Sequence, residues 1–85
     1  MSPEERVLLA IKDEHSRAAS AFGALHSAHE GYAVIKEELD ELWEEVKKKT
    51  QDRDCTKMEK EAVQIASMAL RFVLDVCMDD QGQYY

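Results

Sequence analysis

The sequence predicts an all-α fold, a three-helix subunit that assembles into an oligomeric helical bundle. Three observations carry that prediction. Proline occurs once and glycine three times in 85 residues, so long stretches run without a breaker. Ser2, Ser27 and Thr56 each stand three positions before a glutamate, the capping-box spacing that opens a helix. The third segment is apolar around most of its circumference, more than two amphipathic neighbours can cover.

The first helix is expected over about residues 3–22. Pro3 occupies the favoured first helical position, and Val7, Leu8, Ile11, Ala18 and Phe22 recur at helical spacing. Gly23 marks its end. The second is expected over about 28–50, with Tyr32, Ile35, Leu39, Leu42 and Val46 as its stripe and Lys47-Lys48-Lys49 at its C-terminus, where cations complement the helix dipole. The third is expected over about 56–77. Met58, Ala62, Ile65, Ala69, Phe72 and Val76 form one stripe; Val63, Ala66, Leu70, Val73, Leu74 and Cys77 continue the apolar surface round the other side. The remainder of that surface is expected to meet another copy of the chain. Residues 79–85 are polar and read as a frayed tail.

Residues 1–85 make a single domain, near the size at which one core becomes marginal and a staple or partner is needed. Cys55 and Cys77 are the only cysteines, with no CxxC pair and no apolar run resembling a signal peptide or membrane span, which points to free thiols and a cytoplasmic setting. A formal charge of −7 argues against a nucleic acid polymer as partner, because phosphate contacts need clustered Lys and Arg.

The acids are concentrated on the second helix: Glu37, Glu38, Asp40, Glu41, Glu44 and Glu45. Glu38, Glu41 and Glu45 share a narrow arc, and side chains three or four apart are neighbours. The third helix has one polar strip, Glu61, Gln64, Arg71 and Asp75, with Met68 among them. Packed stripe to stripe, Glu61 faces Glu38 and Glu41 at the edge of the interface. Hard divalent cations take oxygen ligands, and bundles build metal sites from carboxylates on facing helices. A solvated acidic face, with Lys57–Glu61 and Arg71–Asp75 as i,i+4 ion pairs, is the competing reading.

Glu37-Glu38-Leu39-Asp40-Glu41 followed about twenty positions later by Glu61-Ala62-Val63-Gln64 resembles the MazG-like nucleotide pyrophosphohydrolases, an all-α superfamily with ExxE on one helix and ExxD on the next. His26-Ser27-Ala28-His29-Glu30-Gly31-Tyr32 and Ala66-Ser67-Met68-Ala69-Leu70-Arg71-Phe72 look like short phage and bacterial members, and the likeness runs from about Phe22 to Val76. The resemblance implies hydrolysis of nucleoside triphosphates, deoxy or non-standard ones among them, to monophosphate and pyrophosphate. It implies that Glu38, Glu41 and Glu61 hold Mg²⁺ (or Mn²⁺), with Glu37 as a further ligand or the base that activates water. A dimer or tetramer is the expected assembly, and no membrane is involved.

Two departures stand out. Gln64 occupies the place of the motif Asp, so one metal position gains an amide oxygen and no charge. Three helices stand where many relatives use four or more, so a complete site would draw on two subunits. Either departure leaves two rivals to the enzyme: a non-catalytic helical interaction module and a nucleotide-binding sensor. Around the metal residues, Arg71 is the candidate to meet a phosphate, with pairing to Asp75 as its alternative. Met68 is either the floor of a base pocket or core filling. His29 and Asp75 complete the substrate-contacting candidates, His29 serving either the helix start or the pocket rim. Trp43 is read as interface packing, with stacking on a base as the alternative.

Overall fold

The computed structural model describes residues 1–85 and is all-helical, with α1 over Pro3–Phe22, α2 over Ala28–Val46 and α3 over Cys55–Phe72. A 3₁₀ turn at Thr50–Asp52 joins α2 to α3, and one wide π turn, Val73–Cys77, extends α3 to the boundary the apolar pattern predicts. No helix is long and apolar enough to cross a membrane. Both cysteines are free.

The helix starts follow from local chemistry, with two adjustments. At Ser2 the box closes in both directions: Glu5 N donates to Ser2 Oγ and Ser2 N to Glu5 Oε1, each at 3.1 Å. At Ser27 only half of it forms. Glu30 N donates to Ser27 Oγ at 3.0 Å, while the Glu30 carboxylate turns to His26 N at 3.3 Å. The third helix does not open at Thr56. Asp54 caps it, accepting from Thr56 N at 2.9 Å and Lys57 N at 3.3 Å, because one carboxylate oxygen serves two otherwise unpaired donors.

The end of α2 also falls earlier than the lysine run predicts. It stops at Val46, and two interactions from beyond the helix hold it there. Arg53 Nε donates to the Val46 carbonyl at 2.9 Å, satisfying one of the orphan acceptors of the last turn. Glu45 is drawn out of the acidic arc: it is buried, accepts from Lys48 Nζ at 2.9 Å and from Asp54 N at 2.7 Å, and its carboxyl lies below the usual glutamate range because of those two bonds. The tail folds back on itself. Asp79 Oδ1 accepts from Gln81 N and Gln83 N at 2.9 Å, Gly82 takes the left-handed φ of 77° that the turn needs, and Tyr85 N returns to Cys77 O at 3.0 Å.

α3 is the shared partner of α1 and α2. Its orientation follows the expected stripe only in part: Met58, Ile65 and Phe72 are half-buried, and Phe72 packs beside Gly31 of α2. Ala62 and Ala69 are exposed, whereas Ser67, Met68 and Arg71 are buried and Glu61, Gln64 and Asp75 half-buried. The polar strip therefore faces inward. It can do so because its charges find partners there: Arg71 Nη2 donates to the Gly23 carbonyl, and Asp75 Oδ2 accepts from Leu25 N at 2.9 Å. Those two bonds staple the α1–α2 connection onto α3. Gly31 lets this happen, since a Cβ there would lie 2.5 Å from Phe72 Cδ2 and 3.3 Å from Leu25 Cδ1. The fully buried apolar core is consequently thin, comprising Ala18, Leu25 and Met68.

Candidate metal centre

Glu38 and Glu41 project from the middle of α2, one turn apart, and Glu61 approaches them from the first half of α3. One carboxylate oxygen from each lies within 4.8 Å of the other two. Opposite oxygens on an octahedral Mg²⁺ stand about 4.2 Å apart, twice the metal–oxygen distance, so side-chain adjustment alone brings this trio onto one ion. Glu41 is exposed, and Glu38 and Glu61 are half-buried.

Gln64 completes the group. Its side-chain amide ends between Glu38 Oε2 and Glu61 Oε2, at 2.9 and 3.0 Å, and with nitrogen inward it donates to both. With oxygen inward the same side chain would bring a further acceptor to the point where the carboxylates converge, and rotation about its last torsion interchanges the two faces. The donor set is all oxygen, suited to a hard divalent cation and unsuited to softer metals.

Glu38 is the perturbed member. Partial burial pushes its carboxyl up from 4.5 to about 7, with further upward contributions from the charge of Glu41, a hydrogen bond and charge from Glu61, and the charge of Glu37. Carboxylates this close cannot all ionise freely without a cation among them.

Beside the carboxylates lies a cavity of about 470 Å³ between all three helices. Ala18, Leu25, Val34 and Met68 supply apolar wall, and Glu37, Glu38 and Gln64 form the side next to the metal group. Met68 is thus both core and cavity wall. Glu37 is exposed at the rim. Two buried polar atoms on α3 lack a hydrogen-bond partner: Ser67 Oγ and Arg71 Nε. Arg71 also forms the anticipated pair with Asp75, whose Oδ2 is 3.4 Å from Nε, an ion pair but not a hydrogen bond. Arg71 and Asp75 are therefore committed largely to holding the α1–α2 connection.

A second groove, about 670 Å³, runs between α1 and α3 and shares Glu14, Arg17 and Gln64 with the first cavity. Arg6, Arg17 and Lys60 line it. Arg17 pairs with Glu14, its Nε donating to Oε2 at 3.0 Å, which holds the Glu14 carboxyl below its ordinary range. Sequence reasoning passed over Arg17, Lys60 and Ser67, since nothing local to them signals where α1 crosses α3. His29 is exposed and lines neither cavity. Trp43 lies in a separate shallow groove with Leu39, Leu42 and Val46 on α2. No family model, curated protein or solved structure matches this chain.

Proposed function

We propose that this chain is a Mg²⁺-dependent nucleoside triphosphate pyrophosphohydrolase, acting on deoxy or non-standard nucleotides. The observation that carries the reading is the convergence of Glu38, Glu41 and Glu61, with Gln64 between two of them, at the edge of a cavity open to solvent. These are the residues that the MazG-like resemblance names as ligands. Bound there, Mg²⁺ (or Mn²⁺) would neutralise the triphosphate and lower the pKa of attacking water. Water oxygen bonds to the α-phosphorus, the bond from that phosphorus to the α,β-bridging oxygen breaks, and pyrophosphate leaves with the electron pair. Glu37, at the cavity rim one residue from Glu38, takes the proton from the water. Arg17 and Lys60 in the adjoining groove supply positive charge for the polyphosphate.

The working unit in this proposal is a homo-oligomer, a dimer or tetramer. A 9.7 kDa monomer is expected to expose roughly 5,100 Å², whereas this chain exposes 6304 Å². The excess, about 1,200 Å², exceeds the roughly 800 Å² that each partner buries in a standard interface. Large apolar side chains contribute to that surface. Tyr32, Leu39 and Trp43 share the outer face of α2 at 67%, 53% and 57% exposure, and Leu70 and Leu74 are exposed on α3. A second copy of the chain is the occupant that fits: the extents of 46 × 33 × 22 Å describe an open, elongated subunit with too little core to stand alone.

The uncharged Gln64 favours one rival, a nucleotide-binding sensor that holds metal weakly and turns nothing over. A pyrophosphate-release screen across nucleoside triphosphates, with and without Mg²⁺, separates the two. Mg²⁺-dependent release supports the enzyme. Metal-dependent nucleotide binding with no release supports the sensor, and neither metal nor nucleotide binding leaves only a helical interaction module.

A further inference from the structure

The amphipathic pattern of α3 is inverted for a subunit that stands alone. Beyond its first turns the charged residues, Glu61, Arg71 and Asp75, are buried or half-buried against α1, α2 and their connection. Between Glu61 and Asp75 every exposed residue is apolar: Ala62, Ala69, Leu70, Val73 and Leu74. A helix face that meets water carries charge, and an outward apolar face is built to be covered. The exposed charges of α3, Lys57, Glu59 and Lys60, all precede this face, and Glu59 is paired with Arg6 of α1 at 3.4 Å. The face runs about 18 Å along the helix. It lies opposite the strip of Gln64, Met68 and Arg71 that lines the 470 Å³ cavity. Its large and small side chains are segregated, with Ala62 at one end, Leu70, Val73 and Leu74 at the other, and Ala66 midway between Ala62 and Leu70.

We propose that this face packs antiparallel on the same face of a second copy of the chain, the two helices crossing at Ala66. Turning the second helix end for end seats Leu70 of each copy over Ala62 of the other, large against small, so the face is complementary to itself. A parallel pairing would set Leu70 on Leu70 and leave a gap between the alanines, which close packing does not tolerate. The area suffices. The chain exposes 6304 Å², about 1,200 Å² more than expected of a 9.7 kDa monomer, against roughly 800 Å² per partner in a standard interface. A lipid surface is the poorer occupant, because a chain of charge −7 is repelled by anionic headgroups. The inference rests on the homo-oligomer reading and deepens it by naming the contact; it is independent of the pyrophosphate chemistry. This contact lies apart from the outer face of α2, so one tetramer can use both, and it leaves the cavity of each copy on the side of α3 away from the partner.

The test is mass by light scattering at micromolar concentration, together with directed cross-linking. Leu70→Glu should halve the wild-type mass, raising the dissociation constant about a hundredfold or more, because it sets an unpaired charge against apolar surface. For the cross-links, Ala62→Cys and Leu70→Cys are made separately in a Cys55→Ser, Cys77→Ser background, then oxidised alone and mixed. The mixture should give a disulfide-linked dimer, since position 62 of one copy meets position 70 of the other. Neither variant alone should do so, because identical positions then stand about 12 Å apart along the helices, too far for a disulfide. A variant that cross-links with itself in preference to the mixture overturns the antiparallel arrangement. No cross-link in the mixture, or a mass that Leu70→Glu leaves unchanged, overturns the α3 contact while an oligomeric wild type keeps the oligomer reading on another face. A monomeric wild type overturns both. The cross-link decides the matter where Leu70→Glu fails to fold.

Discussion

The side-chain amide of Gln64 sits 2.9 Å from Glu38 Oε2, in the position where a cation would otherwise hold Glu38 and Glu61 together. Nitrogen inward, it offers two donors to two acids, which makes it an internal substitute for part of a metal's charge. This offsets part of the repulsion between the two carboxylates and gives the uncharged residue at this position a physical role.

Gln64→Asp should expose that consequence. Metal-free, the change removes the bridging donors and adds a negative charge, so the fold should lose about 1–3 kcal/mol. With saturating Mg²⁺ the order should reverse, because a charged ligand now binds the ion and selective binding stabilises the folded state. Thermal melts of both proteins across a Mg²⁺ titration test this directly. Coinciding curves would remove Gln64 from the metal group. Where metal occupancy limits turnover, pyrophosphate release at low Mg²⁺ should rise as well.

Glu41→Gln makes the complementary case. Glu41 contributes to the upward shift at Glu38, so neutralising it should stabilise the metal-free protein by about 0.2–0.5 kcal/mol, as for other like-charged neighbours on a helix. The same change should diminish the rise in melting temperature caused by Mg²⁺. A Mg²⁺ response equal to that of wild type would reduce the carboxylates to a solvated face.

The raised Glu38 pKa sets a pH dependence of defined sign. Its folded value, about 7, lies above the ordinary 4.5, so the native state holds the proton more tightly than the unfolded chain. The stabilising contribution is complete below about 4.5 and is lost as pH rises through 7. Metal-free melting temperature should therefore carry a declining component from Glu38 over that window, absent in Glu38→Gln. Mg²⁺ binding near pH 7 should release a fraction of a proton, seen as a calorimetric enthalpy that changes with the buffer's own ionisation enthalpy. No buffer dependence would mean that Glu38 is outside the metal group.

How much of this was legible in the sequence depends on the range of the interactions involved. The starts of α1 and α2 follow from Ser2 and Ser27, whose partners lie within four residues. The spacing of Glu38 and Glu41 is equally local, and packing the apolar stripes of the two helices together put Glu61 opposite them. The end of α2 was not legible, because Arg53 and Asp54 set it by folding back onto Val46 and Glu45. Nor was the inward face of α3. Its orientation depends on Arg71 and Asp75 finding Gly23 and Leu25, 48 and 50 positions away, and helical periodicity alone ranks such a strip as outward. Arg17 escaped notice for the same reason, since only the crossing of α1 and α3 brings it into the cavity that Glu38 and Gln64 also line.

The outer face of α2 should be an interface between copies. Light scattering at micromolar concentration should give a dimer or tetramer, and Trp43→Glu should shift the mass toward monomer by placing an uncompensated charge against apolar surface. Leu74→Glu probes the exposed strip of α3 in the same way. A monodisperse, folded wild-type monomer would overturn the interface, and an unchanged mass in Trp43→Glu would move it away from α2.

Gly31→Ala tests the packing of α2 against the end of α3. Alanine is the better helix former by about 1 kcal/mol, so on propensity alone the substitution should stabilise α2. The structure predicts the opposite sign. The new Cβ would stand 2.5 and 2.9 Å from two carbons of the Phe72 ring, closer than non-bonded carbons approach, and 3.3 Å from Leu25. Phe72 would have to turn, and Leu25, whose backbone N–H is held by Asp75, would be pushed with it. Overpacking of this kind costs about 1–3 kcal/mol, enough to outweigh the gain in propensity. Chemical denaturation of Gly31→Ala, Phe72→Leu and the double variant resolves the question. Phe72→Leu alone should destabilise by creating space, and in the Gly31→Ala background it should cost less, because the smaller side chain accommodates the methyl group; the coupling isolates the contact. A Gly31→Ala protein more stable than wild type, with additive effects in the double variant, would show that Phe72 moves aside freely and that the α1–α2 connection is not held against α3 by this contact.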